Sequence, residues 1–585
     1  MHFDVIVLGG GFAGQCQARH LRRELPHLSV AIVEPKSLEQ LGEINKIGES
    51  TVEIAATFLG RELGLYDYLI ENHQPKVGLA FHWPRDTAKT DTLADYLSIW
   101  PVRNPTLASW QLHRGRFEQD LMAMNQAAGV VWIQGNATAL ELRESTAPNG
   151  VVVTTPDGDQ SLTCDHLVDA AGRAFLTGRA TDNIVMDPAA MHGLKNCAAW
   201  LRVSGVDRER FVRGFDPERT VTSQYYATNH FLGHGHWLWM IPITMGDRLE
   251  LSVGVMFHHE AIAAKDLNTE PKFRAFLRAN HAVLADLIDG TDVADFACWA
   301  RPSHTCKQCF SPDRWYAVGD AAWFGDAFYS QGTSAIAFGV CSVTDLIARA
   351  GDPDHEERRD AYERFNLWWA DAVLHLYRDH RWQLGHAGVM SWRIYFEYMW
   401  WFGVWIPTFL GRWFLDPEFI GGTLRGDIRW FQEDAYADLG EIARSGASPL
   451  PFIDAYRADE LGLGYGPTLE RQAWLENVES APQRLDIYRT LSSTFLFSAL
   501  WWLRMQAAAF GWGRLLRWRT WRHAGRLVFK GLYIRLGSFR HRWRRRGVPR
   551  NATTAALKQA TGSYVPPSAP RPWRVDPPAE AAPRS

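Results

Sequence analysis

The stretch FDVIVLGGGFAGQCQARHLRRE, residues 3–24, limits this chain to few folds. An apolar run leads into Gly9, Gly11 and Gly14 at GxGxxG spacing, a helix-period stretch follows, and a second apolar run, LSVAIVE, ends at Glu34. The glycines let the backbone turn tightly and set a helix N-terminus against a pyrophosphate, while the acid can accept the hydroxyls of a ribose. Alone, GxGxxG is a weak signal; with both flanking strands and the acid in place it predicts a Rossmann-type α/β unit that binds a dinucleotide.

Two later segments narrow the dinucleotide. CDHLVDAAGR (164–173) and RWYAVGDAA (314–322) are each an apolar strand ending in a small-residue turn with an acid. They resemble the DG and GD motifs of monooxygenase-type, glutathione-reductase-like FAD folds. That resemblance implies that Asp320 holds the ribityl chain of FAD. It also implies that Arg114, in QLHRGRFEQDL at the start of a helical pattern, lies near the flavin.

HWLWMIP, His236 to Pro242, reads as a strand that points Trp237 and Trp239 to one face and ends at the proline. A pair of core aromatics is the ordinary reading of such a stretch. In a flavin context, however, WLWMIP matches WxWxIP at Trp237, Trp239, Ile241 and Pro242, and the chain resembles the flavin-dependent halogenases of tryptophans, pyrroles and phenols. The resemblance implies that these tryptophans stand between flavin and substrate, so that the ring is not hydroxylated directly. A near-match, FGVWIP (402–407), lacks the second tryptophan and is set aside.

The chemistry of that family needs a group to hold hypohalous acid, the small oxidant obtained from reduced flavin, oxygen and halide. Lys76, ahead of Val77-Gly78 and an apolar run, occupies the place of the family's active-site lysine. An ammonium can hydrogen-bond the oxidant, and an amine in a partly desolvated site can form a haloamine. IGESTVE (47–53) is similar to the family's GEST segment, so Gly48, Glu49 and Ser50 are expected beside the flavin; Ser50 and Glu53 also read as a helix N-cap and its capping-box acid. WFGDAFYSQGTSAIAFG (323–339) corresponds to FxxPxxSxG with Phe324, Ser330 and Gly332 matching and Ala327 in place of proline. The resemblance assigns halide to the backbone amides of Gln331 and Gly332, a nest of fixed dipoles with no titratable group. Tyr329 stands where tryptophan halogenases carry a glutamate, which points to electron-rich phenols or pyrroles rather than free tryptophan.

Composition bears on what lies beyond. With 585 residues the chain exceeds one ordinary core, and a net charge of −3 excludes a generally basic nucleic-acid binder. Seven cysteines from Cys16 to Cys341 form no dense disulfide framework, and the only close pair, Cys306 and Cys309, lacks partners for a metal site, so no metal is expected. The chain enters a strand at MHFDVIVLGGG, and the expected setting is cytoplasmic or peripheral at a membrane. ERRDAYERFNLWWADAVLHLYRDH (357–380) reads as a long amphipathic helix. The aromatic run at 390–415 is interrupted by Glu397, Gly403, Pro407 and Arg412, which suits an apolar substrate chamber or interfacial surface better than a membrane span. Between Asp486 and Asp576 there is no acid while Arg and Trp recur, ending in a run at Arg542, Arg544, Arg545 and Arg546. This is a pattern for a membrane surface or an acidic carrier protein. The final proline-rich residues read as unstructured.

The expectation is therefore an α/β FAD-binding Rossmann-type protein with a β-sheet substrate lobe and a helical C-terminal extension. The divisions fall at 1–345, the flavin core; 346–490, the aromatic helical extension; and 491–585, the basic tail. Its cofactors are FAD as FADH2, halide and O2. Its partners are a separate flavin reductase and an aromatic substrate, free or on an acyl or peptidyl carrier protein. A flavin monooxygenase or a non-halogenating relative shares every FAD motif and differs in halide dependence.

Overall fold

The computed structural model describes residues 1–43, 46–100, 109–144, 147–212, 224–245, 248–422, 428–445, 450–453 and 487–544. Two large sheets organise the first 330 residues. The first contains β1 (His2–Leu8), β2 (Val30–Glu34), β5 (Val131–Gln134), β6 (Asn136–Glu141), β7 (Asn149–Thr155), β8 (Gly158–Asp169) and β14 (Trp315–Ala317). Its order is β5-β2-β1-β8-β7-β6, with β14 also paired to β8. The β1–β2, β1–β8, β2–β5 and β8–β14 pairs are parallel, and β6, β7 and β8 form an antiparallel meander. Parallel β1 and β2 require a crossover, and α1 (Phe12–Glu24) supplies it, which is the unit read from the glycine spacing.

The second sheet contains β3 (Leu79–Pro84), β4 (Tyr96–Ile99), β9 (Asn196–Ser204), β10 (Thr228–Gly233), β11 (His236–Met245), β12 (Arg248–His258) and β13 (Asp292–Ala300), in the order β13-β9-β12-β11-β10-β3-β4. Alternation along β11 divides its side chains between two cores. Trp237, Trp239, Ile241 and Ile243 join the large central cluster, while Leu238 and Met240 join a separate cluster behind the sheet. The strand does not end at Pro242, as the sequence suggested, but runs on to Met245. Pro242 is tolerated because pairing with β10 stops at Met240, so beyond it only the β12 side of the strand, where Pro242 faces Leu251, continues as a ladder. FGVWIP, by contrast, is helical throughout.

Helices cover the central face. α2 (Arg114–Ala127) and α3 (Gly332–Ala348) flank α1, and then come α4 (His355–Leu376), α5 (Ala387–Trp400), α6 (Arg429–Arg444), α7 (Ile487–Phe510) and α8 (Trp518–Arg544). α4 covers most of the amphipathic helix read over 357–380 but ends at Leu376, four residues short of it. One buried apolar cluster runs from Val5 through Trp369 and Phe396 to Ile534, so the extension packs on the same core as the flavin sheet. Among the described residues no helix is long and apolar enough to cross a membrane, all seven cysteines are free, and no group of three or more His, Cys, Asp or Glu is placed to hold a metal. Arg545 and Arg546, the side chains of Arg542 and Arg544, and the proline-rich end lie outside the described residues.

Candidate active site

The glycine-rich turn is built by close approach. Gly9 has φ +97°, and a Cβ there would lie 2.6 Å from the Ala170 carbonyl oxygen; a Cβ on Gly14 would lie 1.9 Å from the Gly9 carbonyl oxygen. Gly11, the residue preceding α1, faces open space, with nothing within 4 Å of an added Cβ. Glu34 closes the turn: Gly10 N donates to its Oε2 at 2.7 Å and Lys36 N to its Oε1 at 3.2 Å. Opposite, Gly319 at φ +61° packs against Ala13, and the short turn Gly319–Ala321 presents Asp320. Burial raises the Asp320 carboxyl above its ordinary value, opposed by His304, Arg114 and Arg173. Asp169, the acid of the other motif, is spent locally: its oxygens accept from Ala171 N, Thr177 N and Thr177 Oγ1.

Arg114 fastens the 47–51 segment to this turn. Its Nη1 donates to Ile47 O at 3.0 Å and Gly48 O at 3.3 Å, its Nη2 pairs with Glu118 at 2.7 Å, and its guanidinium carbon sits 4.5 Å from the centroid of the Phe12 ring. Glu49 pairs with Arg202 at 3.0 Å, holding the segment to the second sheet as well. The open space in front of Gly11, at the N-terminus of α1, is of a kind that admits the pyrophosphate of a dinucleotide such as FAD.

Lys76 follows the short strand Gln74–Pro75 and is 1% exposed. Its Nζ donates to Ser50 Oγ and to the Thr51 carbonyl oxygen, both at 2.7 Å. Ser50 Oγ in turn lies 2.8 Å from Thr228 Oγ1 and 3.0 Å from Ser330 Oγ, so three segments distant in sequence meet at one hydroxyl. Ser50 therefore caps no helix; the short helix Glu53–Thr57 begins after Val52 with no side-chain cap, because the hydroxyl is engaged by the lysine. Burial lowers the Lys76 pKa to about 7, with Glu53 pulling the other way. Ser330 holds φ +56°, Gln331 is the N-cap of α3 and Gly332 its first residue, so the backbone of both lies at the helix N-terminus.

Lys76 forms part of the wall of an aromatic-lined cleft. Its other polar walls include Glu53, Ser109, Tyr329, Gln331 and Glu397, and its apolar walls come from α4 and α5 and the turn after them, among them Trp368, Trp369, Phe396, Trp401 and Trp405. Trp237 and Trp239 are not among the lining residues. Trp237 Nε1 donates to Asp326 Oδ1 and Trp239 Nε1 to Ser252 Oγ, each at 3.1 Å, and their rings lie 5.8 Å apart.

Sequence reasoning passed over Glu397, treating it as an interruption. The Tyr329 hydroxyl donates to Glu397 Oε2; the carboxylate's other oxygen takes Arg393 Nε at 2.7 Å and the Tyr436 hydroxyl at 2.8 Å. Burial, reinforced by that carboxylate, pushes the Tyr329 hydroxyl pKa well up. The Arg393–Glu397 spacing in an otherwise apolar helix was the available signal, since a buried charge at that depth requires a partner. Glu397→Ala, which leaves the fully buried Arg393 with neutral acceptors and no counter-charge, is expected to cost about 3 kcal/mol, read as a lower denaturant midpoint at unchanged slope.

Residues 4–93 match the tryptophan halogenase family model. The chain is 35% identical to the flavin-dependent halogenase chlA of Dictyostelium discoideum, over 88% of this chain and 89% of that protein. It is 26% identical to a 1H-pyrrole-2-carbonyl-(peptidyl-carrier protein) chlorinase of Pseudomonas fluorescens, over 57% and 72%. Its fold resembles the crystal structure of halogenase PltM with a TM-score of 0.59 at 16% identity, covering 91% of this chain and 96% of that one. With identity of this extent to chlA across nearly the whole length of both proteins, the chain belongs to the flavin-dependent halogenases, enzymes that use FAD, halide and O2.

Proposed function

We propose that this enzyme halogenates an electron-rich aromatic ring, phenolic or pyrrolic, held in the aromatic cleft beside Lys76. The observation that carries the reading is the lysine itself, a buried amine with a depressed pKa in the wall of a cleft rich in tryptophan. When bound, reduced FAD supplies, with oxygen and halide, the hypohalous acid. The amides of Gln331 and Gly332, at the start of α3, are our candidates for the halide site. As a neutral amine Lys76 spends both hydrogens on Ser50 Oγ and the Thr51 carbonyl, leaving its lone pair for the oxidant; as an ammonium it keeps a third donor to hold it. The Tyr329–Glu397 pair replaces a lone carboxylate with a neutral hydroxyl, in keeping with a ring that needs little help in electrophilic attack.

Residues 1–345 are assigned the catalytic steps and 346–490 the substrate chamber, which the cleft-lining aromatics of α4 and α5 support. Electrons are assigned to a separate flavin reductase, since one glycine-rich β-α-β turn serves one dinucleotide. Product mass spectrometry with reduced FAD, oxygen and chloride or bromide, on free and carrier-tethered phenols and pyrroles, tests the assignment. A halide-dependent mass gain is expected; hydroxylated product without halide dependence would overturn it.

Trp237 and Trp239 are proposed to keep the substrate ring from the flavin. Because both are core residues, Phe replacement is the cleaner test than truncation. Trp237→Phe, which loses the bond to Asp326, is expected to lower halogenation several-fold while FAD stays bound, measured by flavin absorbance after gel filtration. Loss of flavin would make the pair packing residues only.

A further inference from the structure

α8 carries two apolar faces, and only one is used. Thr520, His523, Ala524, Leu527, Gly531 and Ile534 are buried against the body of the protein, forming a stripe about 100° wide at 100° per residue. Gly531 lets α8 approach α7 closely: a Cβ there would lie 3.0 Å from the Ser492 carbonyl oxygen. Trp518, Trp521, Val528, Phe529, Leu532 and Leu536 form a second stripe of similar width on the far side, and all six are exposed, Trp518 at 79% and Phe529 at 72%. Basic residues separate the stripes, with Arg519, Arg522, Arg526 and Lys530 along one border and Arg535 on the other. No acidic residue occurs anywhere in α7 or α8.

A soluble helix exposing this much aromatic and aliphatic surface in one stripe marks an interaction site. A tryptophan-rich apolar face bordered by arginine and lysine suits the boundary between anionic headgroups and acyl chains, where indoles are favoured and cations meet lipid phosphate. Among the described residues no helix is long and apolar enough to span a bilayer, so this one would lie on it. The mount is rigid. Trp502 Nε1 donates to the Thr520 carbonyl at 3.0 Å, Arg519 pairs with Asp438 at 3.1 Å, and the Arg526 guanidinium carbon sits 3.9 Å from the centroid of the Trp430 ring. Trp430 belongs to the first turn of α6, whose Arg429 and Gln432 line the cleft, so α8 braces a wall of the substrate chamber.

We propose that α8 seats this protein on an anionic membrane surface, its Trp518–Leu536 stripe buried in the interface and Arg522 and Arg535, at its two borders, on the lipid phosphates. Flotation of the full-length, FAD-loaded protein with phosphatidylcholine vesicles, with and without phosphatidylglycerol, tests it. The wild type is expected to float with the anionic vesicles, with a blue shift of tryptophan emission and weakening at high salt. The triple variant Trp518→Ser, Phe529→Ser, Leu536→Ser is expected to partition about 100-fold less well, and Arg522→Ser about fivefold less well, with flavin retention and thermal midpoint intact in both. No flotation with anionic vesicles, or equal flotation of the triple variant, overturns the proposal. So does a dimer, or a complex with an acidic carrier protein, that the same variant dissolves while lipid binding is absent in the wild type.

Discussion

Lys76→Ala is expected to lower halogenated product by at least about 1000-fold while FAD binding and the release of hydrogen peroxide from reduced flavin and oxygen continue. The separation follows from position. The amine contacts Ser50 and Thr51 at the wall of the cleft and makes no hydrogen bond to the glycine turn, Glu34 or Asp320, so its loss spares the cradle and removes the group facing the substrate chamber. Halogenated product at the wild-type level from the alanine variant would remove Lys76 from the mechanism; loss of flavin would make it structural.

The depressed pKa adds a second readout. If the neutral amine carries the halogen, single-turnover halogenation rises with pH through about 7 and then levels, and Lys76→Arg, which stays charged, abolishes it at every pH. Stability moves in the same direction. Between about 7 and the ordinary lysine value the unfolded chain binds a proton that the folded protein does not, so Lys76 makes the fold more stable as pH rises across that window. Lys76→Met should flatten that slope in denaturant titrations; an unchanged slope would place the lysine in a wetter site than its contacts indicate.

Gly14→Ala carries the second large effect. The new Cβ would fall 1.9 Å from the Gly9 carbonyl oxygen, and since both are backbone, no rotamer change relieves the overlap. The turn must open or α1 must shift off the sheet, at a cost of about 3 kcal/mol or more, and FAD affinity is expected to fall at least about 100-fold. Gly11→Ala is the informative partner. Its φ of −76° suits alanine and its Cβ meets nothing within 4 Å, so the fold should keep its thermal midpoint. If that open space is where the pyrophosphate lies, Gly11→Ala still weakens FAD binding, read by flavin fluorescence on titration. A Gly11→Ala protein that binds FAD normally would place the cofactor elsewhere along the turn.

Local signals were legible because they are spent locally. The β1-α1-β2 unit, Arg114 at the first position of α2 and the two faces of β11 each depend on periodicity or on a turn that only glycine allows. Pro242 was misread as a strand end because its tolerance depends on where the neighbouring strand stops, which no local pattern records. Ser50 was misread as a cap for a related reason: its hydroxyl is claimed by Lys76, 26 residues on, and shared with Thr228 and Ser330.

By itself the sequence determined that this is an α/β flavoprotein whose Trp237, Trp239, Lys76 and Ser330 match halogenase motif positions, since those are matters of spacing and residue type along single segments. Only the tertiary structure decided that Ser50 joins Lys76 to Ser330, that Glu397 of the helical extension meets Tyr329 in the cleft wall, and that α8 keeps an apolar stripe outward. The physical reason is that a buried charge or an exposed apolar face is defined by what packs on it, and packing partners here come from chain segments as far apart as Glu62 and Arg412, 350 residues.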